Sequence, residues 1–435
     1  MTNNNTWEVV ECDDVGKTLR AVRDIRHLET VITDSALFMG PKTAPVCLGC
    51  LGSLAETAVL CRRCGWPVCG AQCESDPGHR AECEVLSEAG LVPSPDQSLN
   101  SGLYSSVSLL RLLLLQKTDV SSWRHVQGMM DHWVERRKER KVVEGVVMLH
   151  KLFSARLGLA WVRLEDVEHC YGVLRTNALD TETGGGQALY PVVCIMSHSC
   201  SPNLEPVSGP STTVVFRAKR KIKQGEELTI GYTDFADSRR NIRRKIVKEW
   251  KFLCQCQRCS DPTEFGTNFS SFQCCCGGFY HEEDEETWKC SVCDKQRSDL
   301  SERYQQVETI FTTMASQNLD IDKLKNIYQD VEGVHDQFYM MIKLLMTFIE
   351  QNQHSSDRAV LELMIDKVDV VLKTLSMLEG GSSRRAAQYL DVRSRCQARL
   401  VKVQHLAQEI TDAELKKGLV QVSQCRMMVA RLMSR

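Results

Sequence analysis

Residues 194–203 read CIMSHSCSPN, and the fold turns on what Cys200 is for. Downstream, WKFLCQCQRC at 250–259 sets Cys254, Cys256 and Cys259 in C-x-C-x2-C spacing. Three thiolates are one ligand short of a closed tetrahedral zinc site, and Cys200 can supply the fourth from far away in the chain. A cysteine-protease reading would set His198 against Cys200, two residues apart and so on one face of a strand. Nothing nearby resembles a protease signature, and a thiolate held by zinc is not a free nucleophile. A buried structural thiol is the remaining alternative.

The rest of the chain bounds the answer. Its 435 residues can bury a sizeable core and are enough for more than one domain. Apolar content of 43% and a formal net charge of −2 fit a soluble globular protein with no global drive toward nucleic acid or acidic membrane. The opening MTNNNTWEVVECDD lacks the basic region and apolar run of a signal peptide. SVSLLRLLLLQ, the richest apolar stretch, is too short to span a bilayer. Twenty-one cysteines without a secretory signal point to a reducing compartment, where thiols serve metals rather than disulfides.

Residues 47–83, CLGCLGSLAETAVLCRRCGWPVCGAQCESDPGHRAEC, place ligands as C-x2-C, C-x2-C, C-x3-C and H-x3-C. Those eight ligands, Cys47, Cys50, Cys61, Cys64, Cys69, Cys73, His79 and Cys83, suffice for two closed zinc sites. So small a segment has too little apolar surface to fold unaided, so metal binding would supply its folding free energy. Further on, CCCGGFYHEEDEETWKCSVC carries Cys274, Cys275, Cys276, Cys290 and Cys293. The pair Cys290 and Cys293 needs a second pair, and Cys274 with Cys276 is the favoured donor of another zinc site, against a reading as surface thiols.

These segments carry a resemblance. The finger, ending in His79 and Cys83, resembles the MYND zinc finger, whose interleaved sites imply Cys47, Cys50, Cys69 and Cys73 on one zinc, and Cys61, Cys64, His79 and Cys83 on the other. SHSCSPN, GEELTIGYTD and WKFLCQCQRC resemble, in order, the core and post-SET parts of a SET-domain protein-lysine methyltransferase, with GKTLRAVRDI and LRTNAL similar to earlier cofactor motifs. A MYND finger set inside a SET domain is the arrangement of the SMYD family, and RTNAL with the second cysteine-rich tail resembles its arthropod SmydA branch.

The expected fold is α+β. A SET-domain β-fold is split by the finger and a helical insert, and is followed by a post-SET zinc site and an all-α, tetratricopeptide-like tail. Its expected boundaries are 7–46 for the first SET part, 47–83 for the finger and 84–170 for the linker and helical insert. The core SET part follows at 171–235, the post-SET segment at 236–260, the second cysteine-rich segment at 261–298 and the tail at 299–435. Patterning agrees with this layout: strand-like TLRAVRDI and TVITDSALF, helical periodicity from about residue 103 to 170, a Pro/Ser/Gly linker at LVPSPDQSLNSG, and amphipathic stretches with few glycines or prolines in the tail. TTVVFRAKRKI and ELTIGY read as strands joined by KQGE as a hairpin turn. Arg239, Arg240, Arg243, Arg244, Lys245 and Lys248 read as a solvated helix face, and the acidic run from Glu282 to Glu286 as a solvated loop.

The resemblance implies a chemistry. S-Adenosylmethionine would be the cofactor and zinc would be structural, with two ions in the finger, one at Cys200, Cys254, Cys256 and Cys259, and a further one at the tail cluster. Tyr232 matches the catalytic tyrosine, Lys17 lies in the opening cofactor loop and Asn177 contacts the amino-acid end. The backbone of Ser197 and His198 meets the adenine region, where Phe252 stacks. A neutral lysine amine must be aligned with the methyl group, and neutralising it at pH 7 costs roughly 4–5 kcal/mol, which an apolar, aromatic channel lowers. Expected partners are lysine-bearing protein substrates such as histone tails and, at the finger, proline-rich peptides, with no membrane, little drive toward nucleic acid, and a monomeric chain acting in nucleus and cytoplasm. Four positions depart from the family pattern: Thr18 replaces a glycine, Ser197 an asparagine, Leu28 a glycine and Trp250 a tyrosine. They motivate the competing reading, a catalytically weak SET scaffold that recruits partners in transcriptional control.

Overall fold

The computed structural model describes all residues except 1–5, 13–15, 44, 55–57, 94–100, 182–183, 208–211, 284–286, 380–382 and 434–435. Most of the linker at 91–102 and the last part of the acidic run therefore lie outside the described residues. Thr30–Ser35 opens on four β-branched residues, and buries Val31, Ile32 and Asp34. It pairs antiparallel with Thr213–Ala218, which pairs in turn with Leu204–Val207. Phe38–Pro41 pairs with Gly186–Leu189. Trp7–Cys12 and Gly16–Ala21 pair with each other, but Thr30–Ser35 and Phe38–Pro41 find their partners only after residue 185, so everything between is an insertion into one β-fold. Leu19, Ile25, Ile32, Leu204, Phe216, Ile222, Leu228 and Ile230 form the buried core of that fold.

The insertion has a core of its own. The short hairpin of Val59–Leu60 with Pro67–Val68 and the helix Pro77–Glu88 pack onto the leucine-rich helix Ser101–Thr118. Trp66 sits edge-on to Tyr104 at 5.4 Å and donates its indole N–H to the Leu91 carbonyl. Behind these, Arg140–Lys151 and Leu164–Asn177 complete the helical layer.

KQGE forms a turn around Gly225, but not a hairpin. Thr213–Ala218 already has a strand on each edge, and the chain leaving the turn pairs with the first strands instead, through an Arg20–Glu227 bridge and a Leu228 N–H to Leu19 carbonyl bond. The arginine face also differs from the expectation. Arg239 and Arg240 are buried, and Arg240 pairs with Glu282 at 2.6 Å beneath the tail, while Arg244, Lys245 and Lys248 remain exposed.

Six helices, Leu300–Ala315, Ile321–Asp330, Tyr339–Asn352, Arg358–Glu379, Arg384–Leu406 and Asp412–Met433, make the tail. It closes on the β-fold through a buried Lys219–Glu379 pair at 3.4 Å, an Arg384 N–H to Glu205 bond of 3.0 Å, and the Arg385 guanidinium 4.0 Å over the Phe235 ring. No helix among the described residues is long and apolar enough to cross a membrane.

Leu28 occupies the third position of the Arg26–Glu29 turn with φ of +64°, a left-handed conformation that favours glycine. Its side chain joins none of the buried clusters, so truncating it forfeits little packing. Leu28→Gly is therefore expected to stabilise the chain by about 0.5–1 kcal/mol, read as a higher urea midpoint with unchanged slope.

Candidate active site and zinc clusters

Segment 192–203 runs through the β-fold under tight control. Buried Asp34 accepts the backbone N–H groups of Val192 and Val193, and so fixes the turn that delivers Ser197 and His198. Burial pushes its carboxyl above the usual carboxylate range. Ser197–His198 then pairs in parallel with Thr229–Ile230. Asn203, 2% exposed, ties the far end: its amide donates to the Glu227 carbonyl and accepts from the Thr229 N–H. The SPN that follows Cys200 is thus a clamp on the strand leading to Tyr232.

Cys200 lies 3.9 Å from Cys254 and 3.4 Å from Cys259, sulfur to sulfur, and Cys256 completes the group. A tetrahedral zinc with about 2.3 Å to each sulfur sets neighbouring sulfurs about 3.8 Å apart, so these residues fit the ion. Three other clusters have the same form. Cys47, Cys50, Cys69 and Cys73 come together, as do Cys61, Cys64, His79 and Cys83, and Cys274, Cys276, Cys290 and Cys293. Cys64 is 3.6 Å from the His79 Nε2, close to the spacing expected for one sulfur and one imidazole on zinc. The other His79 nitrogen meets buried Glu82, which Arg111 of the insert also holds, the outer support that ligating histidines usually have. Fifteen of the 21 cysteines fall in these four clusters, which excludes random placement as an account of the spacing.

His198 joins the Cys200 cluster to Tyr232. Its Nδ1 accepts the Tyr232 backbone N–H at 3.0 Å, so that nitrogen carries no proton, and the Nε2–H points to the Cys200 sulfur at 3.2 Å. The Tyr232 ring lies between His198 and Trp250, with centroids at 5.1 and 5.2 Å. Its hydroxyl donates to the Met196 carbonyl at 2.6 Å, which leaves the oxygen lone pairs as acceptors. Burial pushes that hydroxyl well above the usual tyrosine range, with Cys194 and Glu227 adding to the effect, which favours the neutral phenol.

Trp250 ends the helix Arg239–Trp250 and donates its indole N–H to the Thr176 carbonyl at 2.9 Å. The left-handed residue Lys251 then ends the helix, and Phe252 stands 38% exposed, 6.3 Å from the His198 ring. That exposure leaves part of the ring open to solvent. Asn177, at the end of Leu164–Asn177, gives its amide hydrogens to the Met130 and Val173 carbonyls, leaving Oδ1 to accept. Lys17 is exposed on the strand Gly16–Ala21.

Two features lay outside the sequence reading. Thr18, 1% exposed, donates to Glu227 at 2.5 Å and lies 3.0 Å from the Ser197 hydroxyl, so two of the four departures from the family pattern bond to one another. Glu227 stood in the GEELTIGYTD motif without a role. Arg136, 4% exposed, bonds the Asp131 carbonyl, the Thr176 hydroxyl and the Glu249 carbonyl, and locks the ends of both helices that carry Asn177 and Trp250. Nothing in its local sequence signals this, because every partner is brought by the fold.

The family model described as the SET domain matches residues 16–233, half of the chain. The chain belongs to the SET-domain family. Its curated relatives include the SET domain-containing protein SmydA-8, isoform A, of Drosophila melanogaster, 29% identical over 62% of this chain and 59% of that protein. The histone-lysine N-methyltransferase SMYD3 of Mus musculus is 27% identical over 56% of this chain and 59% of that protein. The matches thus span about three fifths of the relatives' length. A solved structure of Rubisco LSMT bound to AdoMet is 14% identical, covering 99% of this chain and 90% of that one, with a TM-score of 0.36. The finger and helical insert interrupt the SET core, and the Cys254–Cys259 segment follows directly on it.

Proposed function

We propose that this SET-domain chain is an S-adenosylmethionine-dependent protein-lysine N-methyltransferase. The observation that supports this best is the convergence of Tyr232, Trp250, His198 and Phe252 on the Cys200 cluster, since a tyrosine oxygen with free lone pairs beside aromatic walls suits a neutral amine. When bound, the cofactor supplies an electrophilic methyl group on its sulfonium. Tyr232 accepts a hydrogen bond from the lysine amine and holds its lone pair in line. Trp250 and the tyrosine ring form an apolar wall that disfavours the ammonium form. Phe252 stacks on the adenine, and the Asn177 Oδ1 receives the cofactor's ammonium. Lys17, exposed on its strand, pairs with the cofactor carboxylate, and the backbone at Ser197 and His198 lines the adenine. The zinc ions are structural, each with four protein ligands and no open position.

Substrates on this reading are lysine-bearing tails of histones or other proteins, and the MYND-like finger recruits proline-rich partners. The second reading, an adaptor with weak catalysis, draws on Thr18 and Ser197. Their mutual bond removes hydroxyl groups that would otherwise face the cofactor, and a threonine side chain stands where backbone would approach most closely. Calorimetric titration of the zinc-loaded chain with S-adenosylmethionine decides between the two. Micromolar binding is expected, with Phe252→Ala weakening it roughly 10- to 100-fold, the loss of about 1–3 kcal/mol of ring stacking. No binding by a folded, metal-replete chain would leave the adaptor reading.

A further inference from the structure

We propose that Cys274, Cys276, Cys290 and Cys293 bind a fourth zinc, and that this ion is the clasp seating the helical tail on the SET core. The four sulfurs converge, with Cys274 3.9 Å from Cys293 and Cys276 3.5 Å from Cys290. Two tight turns deliver them. In the first, the Gly277 N–H returns to the Cys274 carbonyl with φ of +88°, and a Cβ on Gly278 would lie 2.9 Å from the Cys290 sulfur, so glycine is needed there. In the second, the Asp294 N–H returns to the Cys290 carbonyl with φ of +56°. The Tyr280 hydroxyl lies 3.3 Å from the Cys274 sulfur, placed to donate to a thiolate.

Four short antiparallel strands, Phe272–Gln273, Phe279–Glu282, Trp288–Cys290 and Gln296–Arg297, connect the turns. A sheet of that size cannot bury a core alone. Its large side chains instead belong to the tail: Phe272 meets Phe338 at 5.2 Å and Tyr304 at 6.0 Å, and the Trp288 indole N–H bonds Ser301. The Gly333 carbonyl accepts the Gln273 N–H at 2.7 Å. Beside Trp288, Glu282 pairs with Arg240 of the helix that ends at Trp250, and Arg240 also bonds Ser301. The ribbon therefore contacts both the helix bearing the candidate active-site tryptophan and the tail. An ion holding its two turns together fixes both contacts at once, and binding releases the thiol protons to solvent.

Elemental analysis of the full chain is expected to give four zinc ions, and Cys293→Ser to give three. Cys275→Ser, at an exposed neighbour outside the cluster, should keep four. In Cys293→Ser, amide exchange along Leu300–Ala315 should quicken at least tenfold while that of Ser197–His198 holds. A test without substitution uses alkylation: Cys276 and Cys293, though exposed, should resist iodoacetamide in the zinc-loaded chain while Cys275 reacts. Three zinc ions in the folded chain, or rapid alkylation of Cys276 and Cys293, would overturn the site. A three-zinc variant whose tail exchanges as slowly as the parent would overturn the clasp.

Discussion

Tyr232→Phe is expected to lower kcat by on the order of 10²- to 10⁴-fold, while S-adenosylmethionine affinity stays within about twofold. The ring survives the change, so its packing between His198 and Trp250 persists and the walls of the channel stand. Only the oxygen is lost, and with it the acceptor that orients the amine. Because the cofactor is held by other groups on this reading, binding and turnover separate. Methyl transfer from labelled cofactor to histone octamers, paired with calorimetry on the same preparations, measures the split. A variant that turns over at the parent rate would remove Tyr232 from the mechanism. Since burial holds the hydroxyl well above the usual range, it stays protonated across the working pH. The rise of kcat/KM with pH should then follow deprotonation of the substrate lysine, about tenfold per pH unit below its pKa near 10.4, with no added limb from Tyr232.

The zinc chemistry was legible because ligand spacing is a local signal. Cys254, Cys256 and Cys259 announced a site one ligand short, and Cys200 alone of the remote cysteines stood in a motif that matched it. The split of the β-fold was legible only through resemblance, since no periodicity tells that Phe38–Pro41 pairs with Gly186–Leu189 across the insertion. Where the reading failed, competition between partners decided. KQGE has the residues of a hairpin turn, yet Leu204–Val207 and Thr30–Ser35 had already filled both edges of the strand before it. Arg239 and Arg240 look solvated by composition, but the fold buries both, and the ribbon and the tail supply Glu282 and Ser301 as partners of Arg240. Thr18 and Ser197 each weaken the match to the family when taken one at a time. Together with Glu227 they form a bonded set, which only the three-dimensional arrangement reveals.

Cys254→Ser is expected to remove one zinc ion and to abolish detectable S-adenosylmethionine binding, a larger effect than Phe252→Ala. The phenylalanine change removes one ring, whereas the loss of the ion releases everything the ion positions. Lys251 holds a left-handed backbone directly after the helix, and the chain reaches the cluster only three residues later, so Phe252 is suspended between two fixed points. Freeing one of them restores the rotational entropy of the segment, roughly 1–2 kcal/mol for each residue unfixed. Over the four residues from Lys251 to Cys254 this exceeds the stacking energy of one ring. The disturbance also reaches Tyr232. The Cys200 sulfur is what the His198 Nε2–H meets, and the other nitrogen of that ring anchors the Tyr232 backbone. Elemental analysis, calorimetry and a thermal melt on one preparation separate the outcomes, because the three remaining clusters and the buried core of the SET fold, at Leu19, Ile32 and Phe216, are untouched and should keep the chain folded. A folded Cys254→Ser chain with one zinc fewer and parental cofactor affinity would show that Phe252 and Tyr232 are placed by packing alone, with Ile242 and Ile246 beneath the cluster as the groups responsible.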